Sequence, residues 1–325
     1  MKIVVVLPVN ENHKKALQAA APEAEFVYMP ASEVTEELLQ TVDATIGNIP
    51  VDKFKGYENI KWVQLSFAGT DGFTTPGVLA PGTVLSNSTG AYGLNISEHM
   101  IAQLFMLIKK LDHYYDAQKE KAWKDFGTVR SIYGATTLVV GLGDIGGEFA
   151  RKMHLLGSRV IGIRRNVGEK PDYLDGLYSL DQLDELLPQA DYVACSLPGG
   201  NATYHLFDAD RFARMKEGAV LINVGRGAAV DSYALNDALR SGHLGGACLD
   251  VVEPEPLPQD HPLWEAPNLL LTPHVSGFFH LPETLERVVR IAVNNLKAFV
   301  AGETLKNQVD FTTGYRKNTE DNKAI

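Results

Sequence analysis

The sequence predicts an α/β protein of two domains, one of them a doubly wound parallel sheet. Three observations lead there. The 325 residues exceed what one hydrophobic core usually organises, which points to two domains of roughly 100 to 200 residues each. Short apolar runs alternate with stretches of helical periodicity. A glycine-rich turn, Gly141-Leu142-Gly143-Asp144-Ile145-Gly146, stands between a strand pattern and a helix pattern.

In order along the chain, strands are expected at 2–7, 25–29, 44–47, 61–66 and 83–86, enough for a small parallel sheet. From 97 to 115 the pattern becomes one long apolar helix, with Met100, Ile101, Leu104, Phe105, Leu107, Ile108 and Leu111 recurring at helical spacing. Six more strands follow, at 135–140, 159–163, 192–196, 219–223, 245–251 and 269–271, with helices between them as a doubly wound sheet requires. A last helix over 283–300 reads as a return to the first domain. The expected division is therefore a discontinuous substrate domain of 1–97 and 288–325 around a dinucleotide-binding domain of 98–287, with a polar tail at 316–325.

Composition narrows the function. Hydrophobic residues at 45% and charged residues at 22% suit a soluble globular enzyme and argue against disorder. The net charge of −10, with no basic tract, argues against a nucleic-acid partner. Cys195 and Cys248 each lie in an apolar run, so neither a disulfide framework nor a cysteine metal site is expected. No clustered metal-ligand motif occurs, and no metal is expected. The run Met1-Lys2-Ile3-Val4-Val5-Val6-Leu7-Pro8 is too short for a signal peptide or a membrane span, which makes the cytoplasm the expected compartment.

The glycine turn gains meaning from its setting. The strand Thr137-Leu138-Val139-Val140 enters it and a helix over 147–156 leaves it. Gly141 would make the turn, Gly143 would let a pyrophosphate approach the backbone, and Gly146 would let helix and strand pack closely. Free N–H groups at the helix start, around Asp144 and Ile145, favour the phosphates. At the end of the next strand, where NAD sites usually carry an acidic residue, stand Arg164 and Arg165. Guanidinium groups there favour a 2′-phosphate, hence NADP(H), with NAD(H) the alternative if both arginines are merely solvated.

Ligands of such sheets bind beyond the carboxyl ends of the strands. Three of those ends read Asn223-Val224-Gly225-Arg226-Gly227, Asp250-Val251-Val252-Glu253-Pro254-Glu255-Pro256 and Thr272-Pro273-His274. They supply a cation, carboxylates and an imidazole. A ketone receiving hydride builds charge on oxygen and needs a proton donor and a fixed cation beside it.

With these segments in hand, and with Ala68-Gly69 and the 87–98 stretch, the chain resembles the D-isomer-specific 2-hydroxyacid dehydrogenase family along nearly its whole length. The resemblance implies a flavodoxin-like substrate domain, a Rossmann cofactor domain and a homodimer acting on a small 2-keto or 2-hydroxy acid. It implies that Arg226 holds the substrate carboxylate, that Glu255 pairs with His274, and that His274 is the general acid or, in oxidation, the base. Glu253 is the rival carboxylate; the family places its glutamate five residues after the aspartate, which selects Glu255. Asp250 would bond the nicotinamide amide. Further cofactor contacts are expected at Ser196, Leu197, Pro198, Val224, Gly225 and Gly277.

For the substrate, the loop carrying Phe67, Ala68 and Gly69 would offer backbone N–H groups to a carboxylate, as the family does. Phe67, Tyr92, Phe278 and Phe279 are candidates for narrowing the pocket. The continuation Val275-Ser276-Gly277-Phe278-Phe279 departs from the family's small residues, so substrate preference does not carry over. The remaining histidines, His13, His99, His113, His154, His205, His243, His261 and His280, read as surface or core residues. Two other readings compete: formate or phosphite oxidation on the same fold, of which Glu255 argues against the formate version, and a non-catalytic cofactor sensor, which the Arg226, Glu255 and His274 set argues against.

Overall fold

The computed structural model describes residues 1–70 and 72–317, so Asp71 and the end of the polar tail lie outside it. The chain begins β1 (Lys2–Val5), α1 (Glu11–Ala20), β2 (Glu25–Tyr28), α2 (Glu36–Leu39), β3 (Ala44–Ile46), β4 (Trp62–Gln64), β5 (Val84–Ser86). It continues α3 (Gly93–Ile108), α4 (Leu111–Lys119), β6 (Thr136–Val140), α5 (Asp144–Leu155), β7 (Arg159–Ile163), β8 (Gly176–Tyr178), α6 (Leu183–Leu186), β9 (Tyr192–Cys195). It ends α7 (Ala209–Arg214), β10 (Val220–Asn223), α8 (Ser232–Arg240), β11 (Gly246–Leu249), β12 (Leu269–Leu271), α9 (Pro282–Ala301). Two compact units result: Met1–Tyr92 with the segment from Phe279, and Gly93–Phe278. The long helix thus belongs to the second unit from its first residue, whereas the expected division lay after 97.

The first unit is built on a five-stranded sheet of order β2-β1-β3-β4-β5, parallel throughout, the flavodoxin-like order. Its inner strands β1, β3 and β4 are buried along almost their whole length. Val4, Leu39, Val63, Leu65 and Leu85 share one core. At the start of α1, Asn10 accepts from His13 N while His13 Nδ1 accepts from Asn10 N, so two donors at the helix end are satisfied reciprocally. The helix α9 opens on Pro282 and stops at Gly302, whose φ of 70° suits a residue without Cβ. It is tied into this unit by Asn295, which donates to Gln64 Oε1 at 2.7 Å, and by Glu286, 2.9 Å from His13 Nε2.

The second unit carries seven parallel strands in the order β12-β11-β10-β9-β6-β7-β8, with Leu138, Ile161, Val193, Leu221 and Ala247 in its core. The direction of winding reverses between β6 and β9, where open sheets bind ligands. Six strands were expected; the seventh, β8, is a three-residue edge strand. The long helix expected over 97–115 is broken in two. The chain leaves α3 after Ile108, and Lys110 takes a left-handed φ of 56°. There Lys109 Nζ donates to Arg130 O and Lys110 Nζ to Phe126 O, so both lysines turn towards the returning 120–131 segment. Apolar spacing continues across the break, which concealed it. Among the described residues no helix is long and apolar enough to cross a membrane.

Candidate active site

The glycine turn stands at the carboxyl end of β6, at the winding reversal. Gly141 has φ of 101°, and its N–H donates to Ile163 O of the neighbouring strand. Ser196 Oγ closes the turn from β9 by donating to Gly141 O at 2.7 Å. A Cβ on Gly146 would lie 3.0 Å from the Gly141 carbonyl carbon and nearer still to its oxygen, so helix and turn meet there without room for a side chain. A Cβ on Gly143 would meet nothing within 4 Å. That open space lies at the start of α5, where no side chain caps the first turn. Uncapped N–H groups beside vacant volume fit a dinucleotide pyrophosphate. Ile145 lies in that turn; the Asp144 carboxylate is turned away, accepting from Gly93 N at 2.9 Å.

Beyond β7, Arg164 is half-buried and Arg165 exposed. Arg164 Nη2 donates to Glu169 O at 3.0 Å, while its Nε is buried with no hydrogen-bond partner. A buried guanidinium N–H without an acceptor is costly, and a bound phosphate would supply one. Tyr173 lies close by: burial raises its pKa and the charge of Arg164 pulls it part of the way back.

Beyond β9 and β10, Leu197 and Gly225 approach so closely that a Cβ on Gly225 would sit 2.8 Å from Leu197 N. Asn223, fully buried, donates from Nδ2 to Arg226 O at 2.9 Å and accepts from Gly225 N at 3.1 Å. This brace orients Val224, Gly225 and Arg226. The Arg226 guanidinium is half-buried and donates through Nη1 to Gly225 O. Pro198, after Leu197, receives Thr203 Oγ1 on its carbonyl.

The fold sorts the rival glutamates. Glu255 Oε2 lies 2.9 Å from His274 Nδ1, and its other oxygen accepts from Val252 N. Glu253 turns away to His205, with Oε2 at 3.1 Å from Nε2. Because a carboxylate only accepts, His274 carries its hydrogen on Nδ1, and Nε2 is left for proton exchange. Among the described residues nothing hydrogen-bonds that Nε2. His274 has φ of 53°, a conformation a non-glycine residue keeps only when neighbours enforce it.

Asp250 supplies the enforcement. Only 1% exposed, its carboxylate accepts from Thr272 Oγ1, Val275 N, Ser276 N and Ser276 Oγ, while its carbonyl accepts from His274 N. Those four contacts engage both carboxylate oxygens. Gly277 is steadied by Asn95, which donates to Ser276 O and, at 3.3 Å, to Gly277 O. Asn223 and Asn95 therefore shape the site; both lie within segments that the sequence singled out, but neither was assigned a role there.

In the first unit, the loop after β4 is tightly held. Asn48 Oδ1 accepts from Ser66 N and Oγ and from Phe67 N; Asn87 Nδ2 donates to Ala68 O. Among the described residues no acceptor takes the N–H of Ala68 or of Gly69. Tyr92, expected to narrow a pocket, is instead buried beneath this loop and donates to Ser66 O at 2.7 Å; burial raises its pKa. Phe67 and Phe278 are exposed and Phe279 half-buried.

The chain is similar to known proteins over most of its length. The model of a family described as D-isomer specific 2-hydroxyacid dehydrogenase, NAD binding domain, matches residues 101–276. A glyoxylate reductase of Korarchaeum cryptofilum is 31% identical over 293 residues, covering 86% of this chain and 86% of the relative. A D-isomer specific 2-hydroxyacid dehydrogenase family protein of Aeromonas salmonicida superposes with a TM-score of 0.85 at 32% identity, covering 95% of this chain and 99% of that one. A D-isomer specific 2-hydroxyacid dehydrogenase of Xanthobacter autotrophicus, in complex with NADPH and MES, superposes at 0.81 with 30% identity, covering 97% and 99%.

Proposed function

This chain belongs to the D-isomer specific 2-hydroxyacid dehydrogenase family, an oxidoreductase with a Rossmann domain for a nicotinamide cofactor, and we propose that it reduces a small 2-keto acid to the D-2-hydroxy acid with NADPH. The balanced step is R–CO–COO⁻ + NADPH + H⁺ giving R–CHOH–COO⁻ + NADP⁺. The cofactor supplies the hydride. The chain's own residues do the rest: Arg226 grips the substrate carboxylate and polarises the carbonyl, and His274 gives the proton from Nε2. Glu255 fixes the ring from Nδ1 and so leaves Nε2 to exchange the proton. Ala68 and Gly69 are proposed as backbone donors to the same carboxylate, with Phe67 beside the substrate side chain. In the oxidation direction His274 takes the proton back.

The observation that carries this reading is the Glu255–His274 pair with Nε2 unengaged. The unpartnered Nε of Arg164 supports NADP(H) over NAD(H), as does the NADPH held by the Xanthobacter relative. Gly141, Gly143, Asp144, Ile145 and Gly146 are proposed around the pyrophosphate through their backbone. Arg165, Ser196, Leu197, Pro198, Val224, Gly225, Asp250 and Gly277 complete the proposed cofactor set, Asp250 chiefly by shaping the turn. A cytoplasmic homodimer is the proposed setting, which sedimentation of the purified chain tests for its assembly.

The deciding experiment is a matrix of 2-keto acids, glyoxylate and hydroxypyruvate among them, against NADPH and NADH, with turnover followed by nicotinamide absorbance. Turnover with NADPH that falls at least tenfold with NADH is expected, and Arg164→Ala should erase that preference. No oxidation of either cofactor with any keto acid sinks the proposal.

A further inference from the structure

We propose that His99 is a positioning residue for the reaction: acting through Thr272 and Asp250, it holds the turn that presents His274. The inference rests on the reading of His274 as proton donor. Its starting point is a count of hydrogens. The Thr272 hydroxyl has one hydrogen and three polar neighbours: Asp250 Oδ1 at 2.6 Å, His99 Nε2 at 3.1 Å and Gln103 Nε2 at 3.3 Å. The carboxylate only accepts, so the hydroxyl hydrogen goes to Asp250. Both remaining neighbours must donate into the hydroxyl oxygen, and His99 therefore carries its hydrogen on Nε2. The bonds run one way, from His99 to Thr272 to Asp250.

The far end of this chain is the catalytic turn. Three consecutive backbone amides, those of His274, Val275 and Ser276, all donate to Asp250, the first to its carbonyl and the others to its carboxylate. Asp250 thereby dictates the left-handed backbone of His274. His99 comes from α3, which is separate in sequence from the strands that carry Asp250 and Thr272, so it references the turn to a long rigid helix. Burial lowers its pKa and favours the neutral ring. Protonation would add a hydrogen at Nδ1 and leave the Nε2 donor in place, so the brace persists on either side of that titration. Hydrogen-bond chains polarise one another, so loss of the first donor weakens Thr272 as a donor to Asp250.

The test uses the intact chain. His99→Leu removes the donor, and His99→Gln returns an N–H at similar reach. Small misplacements of a reacting group cost up to about 10²-fold, so His99→Leu is expected to lower kcat about tenfold while NADPH affinity stays within about twofold. His99→Gln should recover kcat to within about threefold. In a Thr272→Val background, His99→Leu should add nothing further, because the path is already cut. Amide exchange at Val275 and Ser276 should quicken in His99→Leu and return in His99→Gln. Unchanged kcat in His99→Leu, or an undiminished loss in the Thr272→Val background, overturns the proposal. If His99→Leu does not fold, His99→Asn, whose donor is too short to reach Thr272, takes its place. Should the wild type reduce no keto acid, the reading of the function fails, and amide exchange alone then decides whether His99 braces the turn.

Discussion

Gly143→Ala and Gly146→Ala add the same methyl group to the same turn, and the structure assigns them opposite effects. Gly143 has φ of −78° and ψ of −160°, which any residue adopts, and its added carbon meets nothing within 4 Å. Stability should therefore hold or rise by about 0.4–1 kcal/mol, the usual gain from a stiffer unfolded chain. The methyl would occupy the space proposed for the pyrophosphate, so NADPH affinity should fall at least tenfold, about 1.4 kcal/mol. At Gly146 the carbon would lie 3.0 Å from the Gly141 carbonyl carbon. The Gly141 carbonyl oxygen and Ser196 Oγ would lie nearer still, well inside any contact distance, and the backbone cannot swing aside. Overpacking of this kind costs about 1–3 kcal/mol, which lowers Tm by about 2–4 °C per kcal/mol. Thermal unfolding with and without NADPH, beside a fluorescence titration of NADPH, separates the cases. In the wild type, cofactor at a hundred times its Kd should add about 2.7 kcal/mol, and Gly143→Ala at the same concentration should retain at most about 1.4 kcal/mol of it while keeping its cofactor-free Tm. Undiminished NADPH binding by Gly143→Ala, or wild-type stability of Gly146→Ala, refutes the reasoning.

Further outcomes can be checked on the same protein. Glu255→Gln removes a charge-assisted hydrogen bond worth about 1.5–3 kcal/mol and should cut kcat about 10- to 100-fold, whereas Glu253→Gln, whose partner is His205, should stay within about threefold. A steady-state comparison of the two decides. Burial lowers the pKa of both His99 and His261, so the folded chain binds fewer protons than the unfolded one below the usual imidazole value of 6.5. Stability is then complete above 6.5 and is lost as pH falls below it; denaturant titrations should show a shallower loss in His99→Gln, and an unchanged slope would contradict this. Burial pushes the Cys195 thiol up to about 11 and the Cys248 thiol higher still, and both are fully buried. Neither should react with a thiol reagent at pH 8 until the chain unfolds; prompt labelling of the native protein would count against the placement of β9 and β11.

Much of the fold was legible because its signals are local. Strands β7 and β12 fall on the expected residues, and both sheets follow from alternating apolar runs. The strand β8 escaped because three residues, Gly176, Leu177 and Tyr178, carry too little pattern. The break at Lys110 escaped because Leu107, Ile108 and Leu111 keep helical spacing while distant carbonyls at 126 and 130 bend the backbone. In the candidate site, residue types at strand ends singled out Arg226, Glu255 and His274 as candidates, yet types alone could not separate Glu253 from Glu255. That choice is settled by the path of the loop, which sends one to His205 and the other to His274. His99 reads, with the other histidines, as a surface or core residue. Its partner Thr272 is 173 residues away, and no periodicity reports such a pairing.

The return of α9 to the first sheet has a bearing on synthesis. The Gln64 carboxamide oxygen accepts from Ser86 Oγ and from Asn295, and β5 gains the N–H of Val309 on its Leu85 carbonyl. A nascent chain that has emerged as far as Phe278 holds every residue of the second unit but lacks these partners for the first. Domains generally fold as units during translation, so the later unit along the ribosome's path is the one able to complete itself first. The amino-terminal sheet must wait, with the surface later covered by α9 open to chaperones or to neighbouring chains. A ribosome stalled shortly after Phe278 would therefore display a finished cofactor domain beside an unfinished one.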